Sequence, residues 1–320
     1  MIEAIKFTRG AVAKKDYVAE LTHFRIAQGR ITGFNGMMAL SAPINIDLDV
    51  RPKADMFAKA VHACEGTMTM HITPTGRLSI KSGKFKALVE CLAEEHAATP
   101  YEPAGWPVDM GPRFMDAIRA LSPFTGVDAS RPWAMGIMLQ GQSAYATNNI
   151  IFAEYWHGHN IPFPMNIPKE VITELLRINE DPVQVLATEN SITFHFSGDR
   201  WLRSSLYSAN WPDQAFKLFD MHKFQYEPTP DGLFDALNKL KPFLDKETRV
   251  YFRDGGVATA NHEEVGGAHI EVDDLIEGPA FSYQALMLLE GVTHIDFMPH
   301  PKPCGFLAEG MRGMILGLRT

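Results

Sequence analysis

The sequence predicts an α+β protein built from one domain type used three times. Amphipathic helical segments alternate with hairpins whose apolar residues recur at every second position. A helix entry behind a proline recurs at Pro52, Pro168 and Pro279. Hairpin glycines recur at Gly83, Gly198 and Gly310, and a second set at Gly29, Gly141 and Gly255. All three markers keep an interval of about 113 residues, which is a domain length and well above the roughly 20–50 residues of solenoid repeats.

The first copy reads differently from the others. Ala4–Thr8 looks like a strand, and R-G-A-V-A-K-K-D follows before Tyr17–Ile26 resumes an extended pattern. Only about one or two helical turns fit between Gly10 and Asp16, so the leading helix is expected to be shortened or missing. Next come a hairpin around Gly29, a helix behind Pro52 and a hairpin at Gly83.

The second copy opens on G-P-R-F-M-D-A-I-R-A-L, where Phe114, Ala117, Ile118 and Leu121 share one helical face. A hairpin is expected at Gly141, then a surface loop in W-H-G-H-N-I-P-F-P. In N-I-P-K-E-V-I-T-E-L-L-R-I, Pro168 sits where a first turn tolerates a missing N–H. Val171, Ile172, Leu175 and Leu176 form its apolar stripe, and Lys169, Thr173 and Arg177 share its polar face. A strand at Val183–Ala187 and a hairpin at Gly198 follow.

The third copy repeats the plan. Leu233, Leu237 and Leu240 line a helix, Gly255 turns a hairpin, and a helix is expected from Pro279. M-P-H-P-K-P-C-G reads as a surface loop. After the turn at Gly310 the chain ends as a strand, with Ile315 toward the core and Met314, Leu316 and Leu318 on the other face. Loop-like boundaries at residues 99–107 and 219–228 give domains 1–106, 107–219 and 220–320.

Composition limits the possible functions. An apolar fraction of 46% suffices for ordinary cores, and no apolar run reaches the ~18 residues of a membrane span. The segment M-I-E-A-I-K-F-T-R-G lacks the apolar core of a signal peptide. Cys64, Cys91 and Cys304 are few and far apart, which predicts reduced thiols and a cytoplasmic protein. The net charge of −8 excludes a general nucleic-acid coater but not a local basic surface.

No phosphate-cradling glycine loop, nucleophile elbow, C-x-x-C or H-E-x-x-H occurs. His157-Gly-His159 is the nearest approach to a metal motif, and it supports a rival reading as a metal-dependent small-molecule hydrolase. Asn261–Glu264 offers carboxylates, but the matching positions Asn35-Gly36 and Asn148-Asn149 have none. No catalytic residue, metal or cofactor is therefore expected. The helices carry modest positive charge instead: Lys53 and Lys59, Arg113 and Arg119, Lys169 and Arg177, Lys239 and Lys241.

Several stretches resemble the bacterial DNA polymerase III β subunit, the sliding clamp, and the likeness runs over nearly all of the chain. P-K-E-V-I-T-E-L-L-R-I resembles that family's second-domain helix. W-L-R-S-S-L-Y-S-A-N-W-P-D is similar to its strand and aromatic-Pro-Asp turn, V-A-T-A-N-H-E-E-V-G-G-A-H-I-E-V to its A-N-N-P-E stretch, and G-M-I-L-G-L-R-T to its M-P-M-R-L terminus. The first copy's short start fits a phage-encoded or divergent member.

The resemblance implies three clamp domains in a head-to-tail homodimeric ring, with helices lining the hole and antiparallel sheets outside. It also implies sequence-independent binding of double-stranded DNA, service to a DNA polymerase and a clamp loader, and no membrane. Lys53, Lys169 and Arg177 would lie on lining helices, and Arg131 and Trp133 in a loop that touches DNA. A partner-peptide pocket would take Ala134, Thr147, Asn149, Ile150, Phe152, Pro212, Leu218, Met314, Leu316, Leu318 and Arg319. Here T-N-N-I-I-F replaces the family's T-D-G-H-R-L, so the preferred peptide should differ. The dimer contact would join Phe243 and Leu244 to Ala87 and Val89. A non-DNA scaffold that kept the fold is the remaining alternative.

Overall fold

The computed structural model describes residues 1–15, 17–93, 102–208, 211–262 and 266–319. The chain starts in helix α1 (Ile2–Thr8), extended by a 3-10 turn at Arg9–Ala11. Strands β1 (Arg25–Ala27), β2 (Arg30–Phe34) and β3 (Met38–Pro43) lead to α2 (Ala54–His62). β4 (Thr69–Ile72), β5 (Leu78–Ser82), β6 (Phe85–Val89) and β7 (Trp106–Val108) follow. Then come α3 (Phe114–Leu121), β8 (Gly136–Thr147), β9 (Ile151–Pro168) and α4 (Lys169–Ile178). β10 (Gln184–Ala187), β11 (Ser191–Phe196), β12 (Arg200–Ser205), α5 (Leu218–Met221) and β13 (Glu227–Pro228) precede α6 (Leu233–Leu240). The last elements are β14 (Arg249–Arg253), β15 (Gly256–Ala258), β16 (His269–Glu271), β17 (Ala280–Ser282), α7 (Tyr283–Met287), β18 (His294–Asp296), β19 (Pro303–Ala308) and β20 (Met311–Leu316).

These elements form two compact units, Met1–Asp109 with Thr173–Leu206, and Met110–Ile172 with Tyr207–Thr320. The second copy of the repeat is divided between them. The first unit holds a seven-stranded antiparallel sheet, β1-β2-β3-β12-β11-β10-β7, and a three-stranded sheet, β4-β5-β6. The second holds a six-stranded antiparallel sheet, β13-β18-β19-β20-β9-β8, and a four-stranded one, β16-β15-β14-β17.

Helix faces follow the predicted stripes. Phe114, Ala117, Ile118 and Leu121 are buried, as are Leu233, Leu237 and Leu240, and Val171, Ile172 and Leu175. Hairpins turn at Gly29 and Gly255, each beside a second residue in the left-handed region, Gln28 and Asp254, which matches the twist of the flanking strands. Gly83, Gly198 and Gly310 also sit in turns with positive φ.

Six expectations need correction. Ala4–Thr8 is helix, not strand: Ala4, Ile5, Phe7 and Thr8 are buried together, a spacing a helix satisfies. The leading helix of the first copy is therefore present, and like α3 and α6 it runs into a 3-10 turn, at Arg9–Ala11, Ser122–Phe124 and Lys241–Phe243 respectively. Gly141 is not a hairpin turn but a bulge within β8, where the pairing with β9 slips. His157 and His159 lie within β9 rather than in a loop, and His157 is buried. Behind Pro279 the chain first forms β17, paired with β14, and the helix starts only at Tyr283. Finally, Trp106–Val108 is not boundary loop but strand β7. The rest of that boundary partly lies in residues 94–101, outside the described residues, as do Glu263 and Glu264 of the Asn261–Glu264 stretch.

Candidate functional site: a basic cavity and an aromatic cluster

In the first unit, α1 and α2 border a cavity of about 880 Å³ whose lining includes Lys6, Arg9, Lys14, Lys53, Asp55 and Arg177. Lys53 is the N-cap of α2, and its backbone N–H is held by Glu90 O at 2.9 Å. Asp55 bridges two cations, Lys59 at 2.7 Å and Arg9 at 2.7 Å. The hydrogen bond from Lys59 is the main reason its carboxyl stays below the usual carboxylate range. The cavity lining thus combines five cations with two acids, Asp55 and Glu174, and Asp55 ties Arg9 to α2.

Arg177 reaches the same cavity, but its guanidinium is engaged by the chain itself. It donates to Glu174 at 2.6 Å, to Lys6 O at 3.2 Å and to Phe7 O at 2.8 Å. In the second unit, Lys169 Nζ donates to Thr125 O at 3.5 Å. Beside it, Tyr207 donates to Glu170 at 3.2 Å, and burial together with that carboxylate pushes its phenol up to about 12. Arg131 is exposed and donates to Asn149 Oδ1 at 2.6 Å.

The second unit also contains an aromatic cluster. Met138, Phe152, Trp211, Phe219 and Met314 are buried against one another, with Trp133, Tyr145, Phe216, Leu218 and Phe224 packed around them. Trp133 meets Trp211 edge-on at 5.2 Å, Phe152 lies 5.2 Å from Phe219, and Phe216 stacks on Trp211 at 5.9 Å. Trp133 therefore packs into this cluster, while its neighbour Arg131 faces solvent.

The residues expected in the peptide pocket divide into buried and exposed sets. Phe152, Met314, Thr147 and Ala134 are buried. Thr147 Oγ1 donates to Ile151 O at 2.7 Å, and Asn149 turns the chain with φ of 73°. Ile150 and Leu316 stand 40% and 43% exposed, and Pro212 and Arg319 are exposed too. Ile315 is fully buried, as expected. The strand ends at Leu316, however, and Leu318 is anchored beyond it by its N–H bond to Ala280 O at 2.7 Å.

Along the cluster, Tyr145 donates to Glu154 at 3.1 Å, and Arg312 donates to the same carboxylate at 2.6 Å. The Arg312 guanidinium also lies 4.3 Å from the centre of the Phe219 ring. Burial, reinforced by Glu154, pushes the Tyr145 phenol up to about 12. Trp211, Phe216 and Phe219 were not among the sequence candidates; their spacing in W-P-D-Q-A-F-K-L-F is the signal that marks them.

The expected dimer residues differ in exposure. Phe243 is 60% exposed. On β6, however, Val89 is fully buried and Ala87 shares its inward face, while Lys86 and Leu88 point outward. Side chains alternate along a strand, so Lys86 and Leu88 are the β6 residues most open to solvent. Among the described residues, no three His, Cys, Asp or Glu side chains group as a metal site. No helix among them is long and apolar enough to cross a membrane.

No family model and no curated protein matches this sequence. Solved structures do. The DNA polymerase sliding clamp of Bacillus subtilis superposes with a TM-score of 0.81 at 18% identity, covering 100% of this chain and 97% of its own. The DNA polymerase beta subunit of Streptococcus pyogenes gives 0.83 at 17% identity with the same coverage. A sliding clamp from Pseudomonas aeruginosa bound to griselimycin gives 0.81 at 15%, again covering 100% and 97%. From end to end, this chain has the fold of the bacterial DNA polymerase sliding clamps.

Proposed function

We propose that this protein is a DNA sliding clamp, a non-catalytic ring that encircles duplex DNA and tethers a DNA polymerase. The observation that carries this reading is the coverage: two structures named as sliding clamps match the whole chain at a TM-score of 0.81, and one named as a DNA polymerase beta subunit matches it at 0.83. The sequence repeat supplies three domains, 1–106, 107–219 and 220–320, with the first boundary shifting to just before β7, which pairs with β10; the resemblance to sliding clamps supplies their head-to-tail homodimeric arrangement, helices inside and sheets outside.

A sliding ring needs contacts to phosphate that do not read bases, because base-specific bonds would stop it. Lys53, with Lys6, Arg9 and Lys14 around one cavity, supplies such contacts despite the acidic net charge. Lys169 and Arg131 extend the set. Trp133 is assigned to the pocket rather than to DNA. The aromatic floor with Ile150 and Leu316 at its rim suits an apolar peptide from the polymerase or the clamp loader. The dimer contact joins Phe243 and Leu244 of one copy to Leu88 and Lys86 of another. A cytoplasmic location fits replication and the reduced thiols.

Retention on DNA tests the ring. The protein is incubated with nicked circular duplex, separated from free protein, and the circle is then cut once. A clamp stays on the circle and leaves the linear product. Equal retention on both forms overturns the reading and leaves a scaffold with a clamp fold.

A further inference from the structure

Arg177 offers an exposed cation on α4, yet its guanidinium is committed to α1. Its bonds to Lys6 O and Phe7 O engage carbonyls of the last turn of α1. The final carbonyls of a helix have no partner within the helix, and a cation there also favours the helix dipole. A helix of seven residues has little stability of its own; its buried face of Ala4, Ile5, Phe7 and Thr8 holds most of it, and these outside bonds fix its last turn.

Two neighbours complete the arrangement. Glu174 is only 8% exposed and is held by Arg177 Nε at 2.6 Å, so losing Arg177 would leave a buried carboxylate unpaired. Gly10 lies against both. A Cβ added there would sit 2.0 Å from Glu174 Oε2 and 2.8 Å from Arg177 Nη2. Gly10 has no positive φ, so a Cβ there would meet no backbone strain but would push the ends of the Glu174 and Arg177 side chains aside.

We propose that Arg177 is a positioning residue: with Glu174 and Gly10 it latches the C-terminal turn of α1, and so aims the DNA-facing cations Lys6 and Arg9, rather than binding phosphate itself. The latch stands on these contacts; its consequence for DNA rests on the clamp reading.

Three variants of the full chain test it, with thermal melts to confirm folding. Gly10→Ala leaves charge untouched, Arg177→Lys keeps the charge without the forked donors, and Arg177→Gln removes it. Hydrogen exchange of the amides at residues 6–12 should accelerate at least ~10-fold in Gly10→Ala and Arg177→Lys, as expected where local opening becomes easier. The salt dependence of duplex binding should flatten in both, by about 0.9 in log–log slope for each phosphate contact that Lys6 and Arg9 lose. Wild-type exchange in both variants overturns the latch. So does a lysine variant with the wild-type slope beside a glutamine variant about 0.9 shallower, the signature of a direct phosphate ligand. If the wild-type protein shows no salt-dependent DNA binding, the clamp reading fails and hydrogen exchange alone decides the latch.

Discussion

The backbone N–H of Leu316 donates to the carbonyl of Ile150 at 2.9 Å, and both side chains stand exposed at the edge of the aromatic cluster. Contiguous exposed apolar surface often marks a binding site, and strand alternation puts these two side chains on the same face as Met314 and Phe152. Replacing both by Asp should weaken a polymerase-derived apolar peptide by ~10- to 100-fold, since each side chain then loses part of the ~1.5–3 kcal/mol available from burial. The melting temperature should fall only modestly, because both are already 40–43% exposed. Peptide titration beside a thermal melt checks this; unchanged affinity would remove the pair from the pocket.

Two histidines link stability to pH. His157 and His195 both titrate below the usual value of 6.5, chiefly because burial disfavours the charged ring. For His157 the backbone of Ser143 works in the opposite direction. A depressed pKa in the folded state means the unfolded chain binds more protons, so stability falls as pH drops through 6.5 and is recovered above it. His157→Leu should flatten the dependence between about pH 7.5 and 5.5 in denaturant titrations. An equally steep dependence in that variant would assign the effect to other groups.

The thiols give a third check. Cys304 is fully buried, and burial pushes its thiol up to about 11, against a partly compensating bond from the Met298 N–H at 3.1 Å. Since the thiolate is the reactive form, Cys304 should be alkylated ~100-fold more slowly than in denatured protein at pH 8. Cys64 and Cys91 are only half-buried and should react sooner. Mass spectrometry of time points resolves the three sites; early labelling of Cys304 in native protein would contradict this packing.

What could be read from the sequence followed the length scale of each signal. Phe114, Ala117, Ile118 and Leu121 repeat at the helical period over enough residues to fix a face, and all four are buried. α1 is too short for that: Ile5-Lys6-Phe7 also alternates, and so imitates a strand. Gly141 was misread because a bulge and a turn both use a glycine at positive φ. The aromatic cluster draws Trp133, Tyr145, Trp211, Phe219 and Met314 from distant segments, and no local period encodes such a meeting. Its rim was reached only through resemblance.

Leu88 and Val89 are neighbours on β6 with opposite surroundings, and that contrast tests the proposed dimer. Leu88 is 46% exposed on an edge strand of its three-stranded sheet, while Val89 has no exposed surface. If Leu88 and Phe243 meet across two copies, Asp at both positions places charges where apolar surfaces should close, removing ~1.5–3 kcal/mol per side chain from the association. The double variant should remain folded, since both side chains face solvent within one chain. Val89→Asp should behave differently: a carboxylate in a fully buried site has no partner, and the cost falls on the fold. Sedimentation with circular dichroism separates these outcomes. The expected result is a folded monomer for Leu88→Asp with Phe243→Asp, and a large loss of melting temperature for Val89→Asp. A wild-type chain that is monomeric at micromolar concentration, or a double variant that still dimerises, would show that copies of this protein do not meet through these residues.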